Sequence, residues 1–322
     1  MHPWYVADRQ SEHSDKIKSA PEQLRHHLRD IVENGYTVVR SSIRPARVAE
    51  VKKAYFGFKD RAKVINPPTV DGRHRRLVNL HCAIPELVDL FSTNKALPLL
   101  DYLFEEEASL YTSLFYEVGS SQDIHRDTPY FWTNPGYKYF GVWVALEDVD
   151  EKNGCLQVIP KSNLLKEEDR ADVATQFHAS MKDVPHSDDR LWTEYQNRAQ
   201  QTASLAGLSK IDVCVQAGDT IIWHPHTLHG GRVIDDPKRS RLSLVMHSTA
   251  VNQAVYHHEG FFNTEASLAQ LHDKSHLTRR GRKYVSYDTI SFGHAFDAPV
   301  EKFARAPAQT MISRIRSMLN LY

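Results

Sequence analysis

Residues 122–127 read QDIHRD, and they follow a segment at residues 109–116 whose aromatic and apolar residues predict a β-strand. Residues i and i+2 of an extended chain point to the same face, so His125 and Asp127 can direct an imidazole nitrogen and a carboxylate oxygen to one point. Because the chain has 18 His and 40 acidic residues, such a pair also arises by chance. A metal site therefore requires a third ligand from a distant strand, a fold that brings it close, and an anchor for a co-substrate.

Helical patterns dominate the part of the chain that precedes this segment. Residues 14–34 and 85–104 carry apolar side chains at helical spacing, and Pro45 begins a further helix. Gly35 ends the first helix, because glycine tolerates the left-handed conformation, and residues 36–39 form a short β-branched strand.

Strand patterns dominate from residue 109 onward. Asn153-Gly154 predicts a hairpin turn with a return strand at residues 155–159, and the polar residues 164–205 are interpreted as an insertion that can act as a lid. Helices followed by short antiparallel strands favour an all-β barrel or jelly roll wrapped by N-terminal helices. The predicted strands cover residues 109–116, 137–146, 155–159, 211–215, 220–223 and 242–247.

Composition indicates a globular protein without a strong charge preference for its partners. The 322 residues are 41% hydrophobic and 25% charged, and the formal net charge of zero gives no field that favours nucleic acid. Three widely spaced cysteines predict no disulfide framework, which favours a reducing, cytoplasmic location. The N-terminal residues show no signal-peptide pattern, and no apolar run has the length of a transmembrane helix.

A histidine-rich segment supplies candidates for the third ligand. Residues 224–231 read HPHTLHGG after a predicted strand, so His224, His226 and His229 each qualify. Two His and one carboxylate leave one face of a metal open, which is the arrangement of non-haem Fe(II) oxygenases.

Two arginines near the last predicted strand are candidates for a co-substrate anchor. The guanidinium of Arg239 or Arg241, if directed into a barrel, requires an anion, and its planar fork suits a carboxylate such as that of 2-oxoglutarate. The alternative is a surface ion pair with Asp235 or Asp236, which fits Arg239 better than Arg241.

Several motifs occur together in this chain. Jointly they resemble the phytanoyl-CoA dioxygenase family of Fe(II)- and 2-oxoglutarate-dependent oxygenases. The resemblance is close over residues 109–163 and 217–249 and looser over residues 23–108, where GYTVV at 35–39 is similar to the family's first strand. The motifs are His125-Arg126-Asp127, VWVALED at 142–148, NGCLQVIP at 153–160, Gly218-Asp219, His229-Gly230, and Arg241 with Ser243.

This resemblance implies a mainly β fold with flanking helices, built on a double-stranded β-helix core of the jelly-roll, cupin-like kind. It implies that His125, Asp127 and His229 bind iron, that Arg241 holds the distal carboxylate of 2-oxoglutarate, and that Trp143 lines the co-substrate pocket. We expect one oxygenase domain over residues 1–322. Its expected parts are a mostly helical segment at 1–108, the core at 109–250 with an insertion at about 164–210, and a C-terminal extension at 251–322.

The chain departs from the family pattern at one position near the expected iron site. The family often has Ser two positions after the distal His, where this chain has Gly231. A hydroxyl contact to 2-oxoglutarate is therefore expected to be missing or to come from Thr128 or Ser243.

The resemblance also implies the cofactor Fe(II), the co-substrates 2-oxoglutarate and O2, and an oxidative decarboxylation coupled to oxidation of a C–H bond. In halogenating relatives a small residue replaces the carboxylate, so Asp127 predicts hydroxylation of an aliphatic C–H bond, or a related oxidation, and not halogenation. The alternative is a cupin-type non-redox metal enzyme or a module that binds a small molecule, neither of which needs Arg241.

The substrate is the least determined part of the prediction. The basic loop Arg73–Arg76 is either a solvated loop or a contact for an anionic substrate such as an acyl thioester, phosphonate or sugar acid. The aromatic residues after the metal segment belong either to the core or to a pocket wall. These aromatic residues are Tyr130, Phe131, Trp132, Tyr137 and Tyr139.

The C-terminal segment 311–319 is apolar at helical spacing, with Arg on the opposite side. We expect it to dock onto the domain or a partner subunit, and peripheral contact with a membrane surface is the alternative. The expected partner of the chain is otherwise a small-molecule substrate, with no nucleic acid and no transmembrane segment.

Overall fold

The computed structural model describes residues 2–62, 72–74, 76–251, 253–263, 276–293 and 297–303. A large sheet forms the centre of this part of the chain, and the neighbouring strands in its central region are antiparallel. These central strands run in the order β1 (Tyr36–Val39), β8 (Thr220–Trp223), β5 (Tyr139–Ala145), β10 (Ser243–Ala250), β3 (Ala108–Tyr116) and β2 (Leu77–Val78).

A second sheet of three strands packs against the inner face of the large sheet. Its order is β7 (Ile211–Val213), β6 (Leu156–Val158) and β9 (His229–Gly231), and both pairs are antiparallel. Apolar side chains of both sheets, including Trp143, Ile221 and Leu156, form one buried cluster. Two antiparallel sheets packed face to face are the jelly-roll architecture that the sequence predicts.

The predicted hairpin at Asn153-Gly154 is wrong. β5 pairs with β8 and β10, whereas β6 pairs with β7 and β9, so the two strands belong to different sheets. The Asn153 side chain bonds to Asp150 N, Asp148 O and Ser240 O, and Gly154 adopts a φ of +84°. The turn signal is therefore genuine, but the turn lies in a loop that carries the chain from one sheet to the other.

Helices cover the outer face of the large sheet, where Phe140, Val142 and Val144 of β5 join a cluster that contains helical residues such as Leu28 and Leu100. Both faces of β5 are therefore buried. The helices are α1 (Gln10–Ser19), α2 (Glu22–Asn34), α3 (Pro45–Ala62), α4 (Pro85–Ser92), α5 (Leu97–Phe104), α6 (Arg170–Thr175), α7 (Asp189–Leu205) and α8 (His258–Phe262).

Two of the predicted helices are each divided into two. Residues 14–34 are interrupted because Ala20 is extended, as is favoured before a proline such as Pro21. Residues 85–104 are interrupted between α4 and α5, where Asn94 Oδ1 accepts a hydrogen bond from Ala96 N at 2.8 Å. Gly35 ends α2 as predicted, with a φ of +81° and a hydrogen bond from its N–H to Ile31 O.

Strands after residue 250 were not predicted from the sequence. β13 (Arg282–Val285) pairs with β3, and β14 (Thr289–Ser291) pairs with β2, so these residues extend the large sheet. The division into one domain with the predicted parts stays a prediction, and the tail at 311–319 lies outside the described residues. The remaining strands are β4 (Trp132–Thr133), β11 (Val255–Tyr256), β12 (His276–Arg279) and β15 (Asp297–Pro299).

In the described ranges, none of the helices has both the length and the apolar character that crossing a membrane requires.

Candidate metal centre

Two backbone hydrogen bonds place His125 beside His229. His125 N donates to His229 O at 2.8 Å, and His229 N donates to His125 O at 2.9 Å. Asp127 Oδ1 lies 3.8 Å from His125 Nε2 and 3.6 Å from His229 Nε2. All three side chains are buried, and one ligand atom from each lies within 4.8 Å of the others. Two imidazole nitrogens and one carboxylate oxygen at this spacing fit a single Fe(II) ion.

Backbone carbonyls orient both imidazoles. His125 Nδ1 lies 2.7 Å from Asp123 O, and His229 Nδ1 lies 3.0 Å from Thr227 O. Because a carbonyl oxygen only accepts, Nδ1 carries the proton in both rings and Nε2 keeps a lone pair for a metal. Burial lowers the pKa of His125 to about 4, so this ring is neutral at pH 7, which is the form that binds metal.

The two oxygens of Asp127 have different neighbours. Oδ1 faces the two imidazoles, whereas Oδ2 accepts a hydrogen bond from Trp223 Nε1 at 2.9 Å and lies 3.4 Å from His247 Nε2. Burial alone would raise the pKa of this carboxyl, but in the metal-free site, where a proton can occupy Nε2 of His229 in place of a metal, His229 and His247 outweigh burial and hold the pKa well below its usual value. Asp127 is therefore an ionised carboxylate.

Helix α7 holds the ligand loop, which we define as residues 122–128. Gln196 Oε1 accepts from Arg126 N at 2.8 Å, and its Nε2 donates to Arg126 O at 3.0 Å and to Thr128 O at 2.8 Å. Gln200 Nε2 donates to Ile124 O at 2.8 Å. The insertion that the sequence predicts thus contributes directly to the position of the ligand loop.

The structure separates the three histidines that the sequence left open as third ligands. Only His229 lies with His125 and Asp127 in a cluster of metal-ligand spacing, as far as the described residues show. His224 is fully buried, its Nδ1 accepts from His226 N at 3.1 Å, and burial lowers its pKa to about 3. His226 is likewise buried, and burial holds its pKa well below the usual value. Both are core histidines.

A small cavity beside the three ligand residues is lined by Arg241 and Trp143. The Arg241 side chain is buried, its Nη1 donates to Gly154 O at 2.5 Å, and its Nε has no hydrogen-bond partner. Burial lowers the pKa of Arg241 to about 10. A buried cation with an unused N–H group fits a carboxylate, such as one of the two carboxylates of 2-oxoglutarate.

Arg239 is unlike Arg241 in its surroundings. Its Nη1 lies 2.8 Å from Asp150 Oδ1 in a partly exposed ion pair. The surface-pair alternative is therefore correct for Arg239, although the partner is Asp150 and not the predicted Asp235 or Asp236.

The hydroxyl contact expected from Thr128 or Ser243 has weaker support. Thr128 Oγ1 lies 2.7 Å from the Tyr139 hydroxyl, and Thr128 does not line the cavity, because its side chain is used in this core hydrogen bond. Ser243 does not line the cavity either, although its hydroxyl is buried without a partner. Ser120 does line it, and a Cβ on Gly231 would lie 2.4 Å from Ser120 Oγ. Gly231 is the position at which the chain departs from the family pattern, and the serine hydroxyl beside it is that of Ser120.

The sequence profile of the phytanoyl-CoA dioxygenase family matches residues 31–238, more than half of the chain. The chain belongs to this family. This match confirms the predicted family, whose enzyme class and cofactors are the predicted ones: its members are dioxygenases that depend on Fe(II) and 2-oxoglutarate.

Curated relatives of this family match only in part. Peroxisomal phytanoyl-CoA dioxygenase of Mus musculus is 24% identical over 162 residues, which cover 47% of this chain and 39% of that protein. Phytanoyl-CoA dioxygenase domain-containing protein 1 of Danio rerio is 44% identical over 46 residues, which cover 14% of this chain and 16% of that protein. The matches thus span well under half the length of these relatives.

Solved structures confirm the predicted jelly-roll fold of this family member. The epimerase SnoN, in complex with Fe3+, alpha ketoglutarate and nogalamycin RO, superposes with a TM-score of 0.55 at 19% identity, covering 82% of this chain and 96% of that one. The carbocyclase SnoK from nogalamycin biosynthesis superposes with a TM-score of 0.53 at 17% identity, covering 83% and 94%. At this identity the likeness concerns the fold alone.

A larger cavity of about 620 Å³ opens beside the candidate metal centre of this family member. His125, Asp127 and His247 lie at its base, and Arg76 is an exposed residue that lines it. The guanidinium of Arg73 donates from Nη2 to Pro237 O at 2.5 Å and from Nη1 to Arg239 O at 3.0 Å. Of the predicted basic loop, Arg76 thus contributes to the cavity, Arg73 binds backbone carbonyls, and Arg75 lies outside the described residues.

The aromatic residues after the ligand loop divide between cavity and core. Tyr130 and Phe131 line the larger cavity, whereas Trp132, Tyr137 and Tyr139 are buried and do not. Other aromatic side chains complete the wall, and they come from β3, α7 and the segment between β13 and β14. They are Tyr111, Tyr116, Trp192 and Tyr287.

Three residues near the site were not predicted from the sequence: His247, Trp223 and Gln196. His247 follows Arg241 at an even spacing within a predicted strand, so strand alternation places both on the same face and could have identified it. Trp223 ends the strand before the histidine-rich segment, and its indole N–H requires a partner when buried. Gln196 has no comparable signal, because its partners are backbone groups about 70 residues away.

Proposed function

We propose that this dioxygenase hydroxylates an aliphatic C–H bond of an anionic small molecule, with O2 and 2-oxoglutarate as co-substrates. In this proposal His125, Asp127 and His229 hold Fe(II), and Arg241 holds the distal carboxylate of 2-oxoglutarate. The observation that carries it is the position of the three ligand atoms, which converge between a small cavity with a buried guanidinium and a larger aromatic cavity.

The donor set supports hydroxylation and not halogenation. Fe(II) supplies the activation of O2 when it is bound, and the chain supplies the ligands, the orientation and the exclusion of water. Asp127 occupies the position where a halogenating enzyme requires room for halide, and its Oδ1 faces both imidazoles. Halide therefore has no position beside the two histidines while this carboxylate is bound.

Arg76 supports an anionic substrate. Its guanidinium forms no hydrogen bond or ion pair with the other described residues, yet it lines the cavity. It lies close enough to Tyr116 and Tyr130 that its positive charge acts to lower the pKa of both phenol groups, against the effect of burial. A cation without a protein partner at the wall of a cavity suits a carboxylate or phosphate group of a ligand. The aromatic wall suits an apolar body attached to that group.

A spectroscopic titration tests the metal and co-substrate part of the proposal. Fe(II) and 2-oxoglutarate added anaerobically to the purified protein should produce a metal-to-ligand absorption band. A spectrum without this band would contradict the proposal and favour a non-redox metal enzyme or a binding module.

A metabolite screen tests the substrate part. Succinate release is measured across anionic and neutral compounds, and hydroxylated products are identified by mass spectrometry. With an anionic substrate, Arg76→Met should raise KM roughly twofold to fivefold, as expected for one partly solvated ion pair, while Arg76→Lys should raise it less. Substrate-independent succinate release should be unchanged in both variants. An unchanged KM in Arg76→Met would contradict the anionic class.

A further inference from the structure

We infer that His247 is a positioning residue which, together with Trp223, restricts Asp127 to offering a metal only one of its two oxygens. This inference rests on the proposed function, because it takes Asp127 as a metal ligand. It concerns the second oxygen of this carboxylate, Oδ2, whose role does not follow from the identity of the three ligand residues.

His247 stands between the two cavities. It lies on β10, is 2% exposed, and lines both the small cavity with Arg241 and the larger aromatic cavity. Its ring stacks on Phe131 with the ring centroids 3.9 Å apart. The residue is therefore fixed in place in the wall that the two cavities share.

The two sides of the Asp127 carboxylate are chemically distinct. Oδ1 faces two imidazole nitrogens that carry lone pairs, and Oδ2 faces Trp223 Nε1 at 2.9 Å and His247 Nε2 at 3.4 Å. An indole nitrogen can only donate, and a carboxylate can only accept. The favourable arrangement therefore places a proton on His247 Nε2 as well, so that two N–H groups are available to Oδ2.

Neither ring nitrogen of His247 has a hydrogen bond of standard geometry, although the ring is buried. An approach of 3.4 Å is slightly longer than a formed hydrogen bond, and such contacts in a site without its ligands commonly shorten when these bind. No acceptor in the part of the chain that the structure describes forms a hydrogen bond of standard geometry with His247. Asp127 Oδ2 is thus the partner that its Nε2 can satisfy.

A glycine makes room for this arrangement. Gly141 lies opposite both His247 on β10 and Trp223 on β8. A Cβ at this position would lie 1.9 Å from Trp223 Cε2, so any side chain would displace the indole. The absence of a side chain at residue 141 thus allows Trp223 to lie against the strand with its N–H directed at Asp127.

The consequence concerns the open face of the metal site. A carboxylate whose second oxygen is bound by two donors occupies one coordination position, whereas a free carboxylate can occupy two. If the carboxylate occupies two positions, the second of them is no longer available to a ligand from solution. Loss of both donors should therefore leave 2-oxoglutarate binding intact and weaken binding of a further small ligand.

Nitric oxide, used as a probe in place of O2, tests this inference without a known substrate. Its affinity for the anaerobic Fe(II)·2-oxoglutarate complex is measured by electron paramagnetic resonance in the wild type, His247→Phe, Trp223→Phe and the double variant. His247→Phe keeps the stacking on Phe131, and His247→Gln is the matched control, because its side-chain amide can place an N–H group where His247 Nε2 lies. Circular dichroism establishes that each variant is folded.

One remaining donor still occupies Oδ2, so each single Phe variant should lower the nitric oxide affinity by about twofold to threefold, and the double variant by roughly tenfold or more. His247→Gln should be close to the wild type. A double variant within twofold of the wild type would overturn the inference. If the double variant does not fold, equal losses in His247→Phe and His247→Gln would overturn it. Absence of the absorption band in the wild type would instead contradict the proposed function.

Discussion

Replacing Arg241 by methionine should weaken 2-oxoglutarate binding and leave the metal-free protein at least as stable as the wild type. The guanidinium is buried, and burial lowers its pKa from 12.5 to about 10. Below pH 10 the folded state therefore holds this charge at a disadvantage of about 3 kcal/mol relative to the unfolded chain. Its hydrogen bond to Gly154 O offsets part of that disadvantage, by about 1.5–3 kcal/mol.

Because methionine keeps much of the apolar volume and removes the charge, the free energy of unfolding should stay equal or rise by up to about 2 kcal/mol. The affinity for 2-oxoglutarate, by contrast, should fall. Removing one partner of a buried, hydrogen-bonded charge pair costs about 2–5 kcal/mol, which is roughly a 30-fold loss of affinity or more.

Two assays on the same preparations check both directions. Urea denaturation of the metal-free protein gives the free energy of unfolding, and anaerobic titration of the Fe(II) complex gives the dissociation constant of 2-oxoglutarate. Arg239→Met is the matched control, because that arginine pairs with Asp150 near the surface and should leave the dissociation constant unchanged. Arg241→Lys should bind with intermediate affinity, since it keeps the charge but loses the planar fork.

Either of two results would refute this reasoning. Unchanged 2-oxoglutarate affinity in Arg241→Met would show that the buried guanidinium does not face the co-substrate. A loss of several kcal/mol in the stability of the metal-free variant would show that Arg241 is a structural residue whose charge is satisfied within the protein.

Three further predictions concern the surroundings of the site. Gln196→Leu should destabilise the protein by about 3 kcal/mol in urea denaturation and weaken Fe(II) binding, because it removes three hydrogen bonds to the ligand loop. Gly141→Ala should cost about 1–3 kcal/mol and weaken Fe(II) binding by displacing Trp223, whereas Gly57→Ala within α3 should stabilise by about 0.5–1 kcal/mol. Burial lowers the pKa of His81 to about 4. In the unfolded chain this imidazole is protonated below about pH 6.5, whereas in the folded protein it is protonated only below about pH 4. The free energy of unfolding should therefore fall by about 3 kcal/mol between these pH values on account of this residue, and His81→Gln should flatten that slope.

Local periodicity was sufficient to predict two of the candidate ligands. His125 and Asp127 share a face because they are two positions apart, and the structure keeps both directed at one point. The choice among the three later histidines was not local, since it depends on the backbone pairing of His229 with His125. That pairing joins residues about 100 positions apart, and only the complete fold or a family resemblance selects it.

The failed predictions have the same origin. The Asn153-Gly154 turn was identified from local chemistry, but a turn signal does not state which sheet the following strand joins. Helices 14–34 and 85–104 were predicted as continuous because apolar spacing survives a short interruption. The strands β13 and β14 were missed because they are short and complete the edges of the large sheet, where pairing with β3 and β2 determines their structure.

The predicted insertion is better understood as a fixed wall than as a lid. Helix α7 contributes Trp192 to the wall of the larger cavity, and Gln196 and Gln200 on the same helix bind the backbone of the ligand loop. Moving the helix away would break four hydrogen bonds, at a cost of about 4 kcal/mol, and would expose the backbone that positions the candidate ligands. An open state of that energy would be populated roughly once in a thousand molecules, and it would disturb the metal site as it opened. Substrate access through the rest of the cavity, where Arg76 is exposed, avoids both consequences.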